Sequence, residues 1–265
     1  MTRMHTLRAL LLGFAAAIGA LPSAVAQAVD GSADSATVAE QYLLSAANQE
    51  RAALGLSQLR RNPKLARAAT EHARAMAEHG TISHQFPGEP ELSNRAAHAG
   101  VSFSVIAENV GMATSAVTIH DLWMHSEHHR ANILDPAIDS AGIAVVASGG
   151  QLYAVEDFAK TVPSISFLQQ ESTIGSLLSQ PGLTLSTAPE SVSIARETCA
   201  MPTGYAGERR PWFVMRFTSG SLTRLPAELK SQIATGHYRQ AVVGACSSTE
   251  ASPFSSYNIA VLLYP

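Results

Sequence analysis

A chain of 265 residues with 46% hydrophobic side chains can bury one large core or two smaller ones, which excludes a disordered polymer. The formal charge is -3 overall; Arg3 and Arg8 lie in an acid-free leader, so 16 bases face 21 acids beyond it, or -5. That balance excludes a protein built to neutralise nucleic-acid phosphates.

The N-terminus reads as an export signal. "MTRMHTLR" is a basic start, "ALLLGFAAAIGA" is an apolar run too short for a stable membrane span, and "LPSAVAQA" ends in the small-x-small pattern of a cleavage site. Residues 1–26 are thus expected to be a signal peptide cut after Ala26, with Ala28 as second choice and an uncleaved anchoring helix as the alternative. No cysteine follows the cleavage region, which argues against a lipid-anchored form. The expected location is secreted or periplasmic, and a polar linker occupies 27–36.

Helical signals come next. "VAEQYLLSAANQERAALG" places Val38, Tyr42, Leu43, Ala46, Ala47 and Leu54 around one face, with Gly55 as a stop. In "NPKLARAATEHARAMAEHG", Asn62 is a cap, Pro63 suits the first helical position, and Leu65, Ala69, Ala73 and Met76 form a stripe ended by Gly80. A third helix is expected through "SAVTIHDLWMH", capped by Ser115 and burying Val117 and Trp123. "AGIAVVASGGQLYAVEDFA" reads as a hairpin turning at Gly149 and Gly150. Helices around a small antiparallel sheet make an α+β domain.

Residues 161–190 read as a connector with a short helix near Phe167 to Leu178, and residues 191–265 as a small α+β domain. There "PWFVMRF", "RQAVVGA" and "YNIAVLLY" are strand-like, and "LPAELKSQI" is a short helix starting near Pro226. Trp212, Val214 and Arg216 alternate with Phe213, Met215 and Phe217, the pattern of a strand with one more apolar face. Cys199 and Cys246 are the only cysteines. In an oxidising compartment they are expected to form a disulfide closing a loop worth roughly 3 to 4 kcal/mol.

"WMHSEHHR" holds the densest chemistry: His125, Glu127, His128 and His129, with Ser126 among them. Ser126 reads as the cap of a short helix "EHHRANIL". A continuous helix would make His125 and His129 neighbours able to chelate one ion; a break at the serine would separate them. His72 and His79, each preceded by a glutamate, read as an exposed helix face. No HExxH, phosphate-cradling glycine loop, CxxC or Gly-x-Ser-x-Gly elbow occurs, which removes the commonest zinc-protease, nucleotide, redox and serine-hydrolase readings.

The succession "NQERAALGLSQLRRNPKLARAATEHARAMAEHGTISH", "AENVG", "LWMHSEHHRANILDP", "AGIAVV" and "YAVEDFA" resembles the CAP superfamily, which includes cysteine-rich secretory proteins, antigen 5 and plant pathogenesis-related 1 proteins, and most resembles its bacterial secreted branch. The resemblance covers residues 37–160 and nothing after Phe167. It implies an α-β-α sandwich, followed here by the small α+β C-terminal domain. It also implies a cleft with two histidines and two acids, in which His84 and His129 take the histidine positions and Glu108 one acidic position. The second acid falls near Ser126, and Glu127 next to it would point about a hundred degrees away. By that resemblance His84 and His129 can hold a divalent metal, zinc foremost, at partial occupancy. Two imidazoles leave at least two positions for water, so affinity should lie far below that of a closed four-ligand site. Glu108 would orient one imidazole or accept a proton from bound water. Two functions stay open: an extracellular or envelope module binding a lipid, sterol or cell-wall ligand, and a metal-dependent hydrolase or peptidase with Glu108 as its catalytic carboxylate.

Overall fold

The computed structural model describes residues 36–248 and 252–265, so the expected signal peptide and most of the linker lie outside the described residues. The first half comprises α1 (Val38–Ala53), β1 (Arg60–Arg61), α2 (Pro63–His79), α3 (Leu92–His98), β2 (Phe103–Ala113), α4 (Ala116–His125), α5 (Glu127–Ile133), β3 (Ser140–Ser148) and β4 (Gln151–Thr161). Strands run in the order β1-β3-β4-β2, with β1 parallel to β3 and the other pairs antiparallel. One face of the sheet packs on α1 and α4 through Leu43, Ala47, Ile119 and Trp123. The other packs on α2 through Ala69, Ala73 and Met76. The result is the expected α-β-α sandwich.

Local signals explain the helix ends. Thr37 and Glu40 form a reciprocal capping box at the start of α1. Glu40 has a second task, because its other carboxylate oxygen accepts from the Val145 amide of β3 at 3.1 Å. Asn62 caps α2 through the amides of Lys64 and Leu65, and Gly80 ends it in the left-handed region at φ 66°. The α1 stripe is narrower than the sequence suggests: Val38, Tyr42 and Leu54 are exposed, and so is Val117 of α4, whereas Trp123 is buried. The buried stripe is Leu43, Ala46, Ala47 and Arg51. Arg51 is fully buried and donates to the carbonyls of Ser57, Ile133, Asp135 and Ile138.

The second half repeats this plan. Its elements are α6 (Phe167–Ser179), β5 (Thr184–Leu185), α7 (Pro189–Ala200), β6 (Phe213–Ser219), α8 (Ala227–Ala234), β7 (Gln240–Cys246) and β8 (Tyr257–Tyr264). Strand order is β5-β7-β8-β6, again with the short first strand parallel to its neighbour and the remaining pairs antiparallel. Ile174 and Leu178 of α6 and Leu229 and Ile233 of α8 cover one face, and α7 covers the other through Ala195. The short helix expected near Phe167 to Leu178 within the connector 161–190 is α6, which with edge strand β5 joins the second sandwich, because Ile174 and Leu178 have an apolar core to enter.

The two sandwiches share one structural detail. A β-carbon added to Gly142 of β3 would lie 2.3 Å from the Ala66 amide nitrogen of α2, and one added to Gly244 of β7 would lie 2.2 Å from the Ala195 carbonyl carbon of α7. In each half one helix thus rests its backbone directly on a strand glycine. The halves meet where the Ser255 amide donates to the Phe103 carbonyl at 2.7 Å, Phe254 packs edge-on against Phe103, and the Tyr257 hydroxyl donates to the Pro163 carbonyl.

The expected disulfide is present, with Cys199 and Cys246 α-carbons 5.8 Å apart. It fastens the last turn of α7 to the end of β7. Reduction is expected to remove up to roughly 3 to 4 kcal/mol from the second half. Hydrogen exchange should accelerate in α7 and β7 while α2 and β3 stay protected. Equal acceleration in all four would show that the halves open as one unit.

Candidate functional site

The site forms where edge strand β2 meets the loop after α2, helix α3 and helix α5. Glu108 is 6% exposed and sits on the α2 face of β2. Its Oε1 faces His84 Nδ1 at 2.9 Å. Its Oε2 accepts from Arg95 of α3 and lies 3.7 Å from His72 Nε2. Arg95 also donates to the carbonyls of His84 and Pro90, so one guanidinium fixes both the carboxylate and the loop bearing the imidazole. A charged donor with several acceptors makes a stiff joint.

His129 enters from α5. The Asn109 side chain donates to the His129 carbonyl at 3.0 Å, and the Asn132 side chain donates to Asn109 Oδ1 and to the Glu108 carbonyl. Helix α5 is thereby tied to the strand that carries the carboxylate. The two imidazoles are tuned in opposite directions. The hydrogen bond to Glu108 raises the pKa of His84, whose side chain is 63% exposed. Burial lowers that of His129, aided by the positive charges of His84 and His128. His84 thus favours its charged form and His129 its neutral form, with the charge of one acting on the other.

The remaining expectations fare differently. A break does occur at Ser126, whose backbone is extended between α4 and α5. His125 accordingly turns away, with Nδ1 against the Asp121 carbonyl at 2.8 Å. Ser126 occupies the cap position of α5 without a capping bond from its side chain, and Glu127 is exposed in the first turn. His72 is a correction. Far from lying on an exposed face, it is fully buried, with Nδ1 2.7 Å from Glu89 and Nε2 2.7 Å from the Ser83 carbonyl. The physical reason is periodicity: Leu65, Ala69, His72 and Met76 follow the i, i+4, i+7, i+11 spacing of one buried face. His79 is exposed and stacks on Phe86. Sequence reasoning also missed Arg95 and Glu89, which carry no motif by themselves.

Two further carboxyls lie under the site on β4. Asp157 pairs with Glu108 across the strands, is fully buried, and is held protonated well above the ordinary range by burial and by the Glu108 charge. Glu156 faces the opposite side and is pushed up to about 8 by burial alone. Both Glu156 oxygens lack a hydrogen-bond partner among the described residues. An unfolded glutamate ionises near 4.5, so folding binds a proton between that pH and about 8. Wild-type stability should therefore fall as pH rises through this window. Glu156→Gln is expected to gain about 3 kcal/mol at pH 7 and almost nothing at pH 4. Urea midpoints at the two pH values measure it, and an equal gain at both would refute the buried-proton account.

Among the described residues no cluster of three or more His, Cys, Asp or Glu side chains is arranged to hold a metal ion. His84 and His129 supply two imidazoles, too few for a closed four-ligand site. Glu108 holds His84 by Nδ1, as a carboxylate supports a ligand imidazole; burial favours the neutral form of His129 that a metal requires, whereas the Glu108 bond favours the charged form of His84, with which a metal would compete. No helix among the described residues is long and apolar enough to cross a membrane.

Comparison with known proteins bears on the first half only. The profile of the cysteine-rich secretory protein family, CAP, matches residues 44–158. An uncharacterised protein of Bacillus subtilis, YkwD, is 30% identical over 112 residues, which span 42% of this chain and 43% of that protein. The chain thus covers less than half the length of the curated relative it matches. Among solved structures, an extracellular SCP-domain protein of Bacillus anthracis is similar over 46% of this chain and 40% of its own, with 23% identity and a TM-score of 0.44. An outer surface protein of Borrelia burgdorferi is similar over 46% of this chain and 92% of its own, with 21% identity and the same TM-score. The helices and sheet of the first half and the His84–Glu108–Arg95 joint fall within or beside the segment, residues 44–158, that matches the CAP family model.

Proposed function

We propose that this protein is an exported binding module whose first half presents His84 and His129 to a lipid, sterol or cell-wall ligand, and that these two imidazoles would hold a divalent metal, zinc foremost. The observation that carries this reading is the state of Glu108. Each oxygen is engaged, one by His84 and the other by Arg95, and Glu108 is 6% exposed, so the carboxylate orients an imidazole and has little access to a water it could activate. That favours binding over the hydrolase reading. A bound metal would supply a Lewis-acidic face for a ligand oxygen, while His84, Glu108 and Arg95 hold that face in place. Export is supported by the basic and apolar start of the sequence and by the paired cysteines.

Calorimetry of the mature chain with zinc, paired with uptake of a sterol, a phospholipid and a cell-wall muropeptide by delipidated protein, tests the reading. Zinc should bind at micromolar or weaker affinity. His84→Ala with His129→Ala should abolish that binding at unchanged melting temperature, since apolar burial holds the fold. Uptake of one of the three ligands without peptide turnover supports the module. Metal-dependent peptide hydrolysis with no uptake would overturn it.

A further inference from the structure

The second half keeps the sandwich but inverts the charge at the place where the first half has its site. In the first half Glu108 pairs with Asp157, which pairs with Gly142, the glycine on which α2 rests. In the second half the same row reads Arg216, Ala260 and Gly244, and α7 rests on that glycine. Arg216 therefore stands on the edge strand where Glu108 stands, facing the equivalent helix. The short strands β1 and β5 register two residues away from this frame, a shift that leaves every residue on its own face. No carboxylate among the described residues pairs with Arg216.

A cleft of about 680 Å³ opens beside Arg216, between the end of α7, strand β6 and the start of β8. That volume suits a small organic ligand. Its wall carries the hydroxyls of Thr218, Ser247 and Ser256 and the Asn258 amide, and Phe254, 46% exposed, offers an apolar face. Two arms of the guanidinium are already committed: Nε donates to the Thr198 carbonyl at 2.6 Å and Nη2 to the Gly204 carbonyl at 2.5 Å. Those bonds fix the group and leave three of its five N–H donors, two on Nη1 and one on Nη2. One fixed positive charge with donors to spare matches the two oxygens of a carboxylate, and the hydroxyl-bearing wall favours a ligand with hydroxyls of its own over inorganic phosphate.

We propose that this second cleft binds a small hydroxylated carboxylate of the acidic-sugar class, with Arg216 as the carboxylate anchor and the hydroxyl-bearing wall reading the ligand's hydroxyl groups. The site is separate from the His84 cleft and independent of the function proposed for it.

Calorimetric titration of the full mature chain with glucuronate, with glucose and with inorganic phosphate provides the test. Glucuronate should saturate at least about tenfold more tightly than glucose or phosphate. Arg216→Met should lose at least about tenfold in glucuronate affinity, the scale of one charged hydrogen bond. Because Arg216 also braces two carbonyls, Thr218→Val and Ser256→Ala serve as variants outside that brace, each expected to weaken glucuronate severalfold with the melting temperature unchanged. His84→Ala with His129→Ala should leave glucuronate binding intact. No saturation below about 10 mM glucuronate, equal binding of glucose or phosphate, or unchanged affinity in all three cleft variants would overturn the proposal.

Discussion

Gly142→Ala is expected to destabilise the first half by about 3 to 5 kcal/mol, and Gly244→Ala the second half by a similar amount. The cause is not backbone conformation, since neither glycine has a positive φ. It is space. The new methyl would meet the backbone of α2 at 2.3 Å, or that of α7 at 2.2 Å, where ordinary contact needs well over 3 Å. A flexible side chain would swing aside, but a helix backbone moves only as a unit, and lifting α2 would loosen Ala69, Ala73 and Met76 from the sheet. Urea denaturation of each single variant and of the pair measures the effect. A midpoint within experimental scatter of wild type would mean that the helices lie farther from the strands than described. The pair also reports cooperativity: additive losses indicate independent halves, and a larger combined loss indicates coupling through the Phe103 contact.

Arg51→Met should cost on the order of 5 kcal/mol, the largest loss expected from any single change in the first half. Methionine fills much of the volume but donates nothing, leaving the carbonyls of Ser57, Ile133, Asp135 and Ile138 without the donor that now gathers them. Burial lowers the pKa of Arg51, yet a guanidinium remains charged at any physiological pH. Arg51→Lys should rescue little, because one ammonium cannot reach four carbonyls spread around a planar fork. The effect should also reach the site: Ile133 closes α5, which carries His129, so a surviving folded fraction should bind zinc more weakly than wild type. Stability loss below about 1 kcal/mol would show that water replaces the guanidinium.

How legible this was in sequence depended on which physics each residue reports. The bounds of α2 were written locally, in Asn62, Pro63 and Gly80, because caps act within one turn. The β3–β4 hairpin was likewise written in Gly149 and Gly150. Strand β2 was not, since "FSVIAENVGMA" is buried along both faces and shows no clean alternation. Helix α7 was hidden by its serines, threonine and β-branched residues, whose weak helix propensity is overridden by packing on β7. Of the site, His84, Glu108 and His129 came from motif order, but Arg95 and His72 act through contacts that no local pattern encodes. The repeat between halves was invisible for a similar reason: it lies in strand order and helix placement, and its common mark is one glycine in each half.

The second bond of Glu40 has a consequence for how copies of this protein meet. Strand β1 covers β3 only at Ser140 and Ala141, so among the described residues no strand lies beside the outer rim of β3 beyond them. Such a rim is a template on which the extended chain of another molecule can add by backbone pairing. Glu40 occupies the Val145 amide on that rim. It sets a carboxylate where an incoming strand would need a neutral carbonyl, so the same side chain that starts a helix also discourages runaway stacking of one molecule on the next.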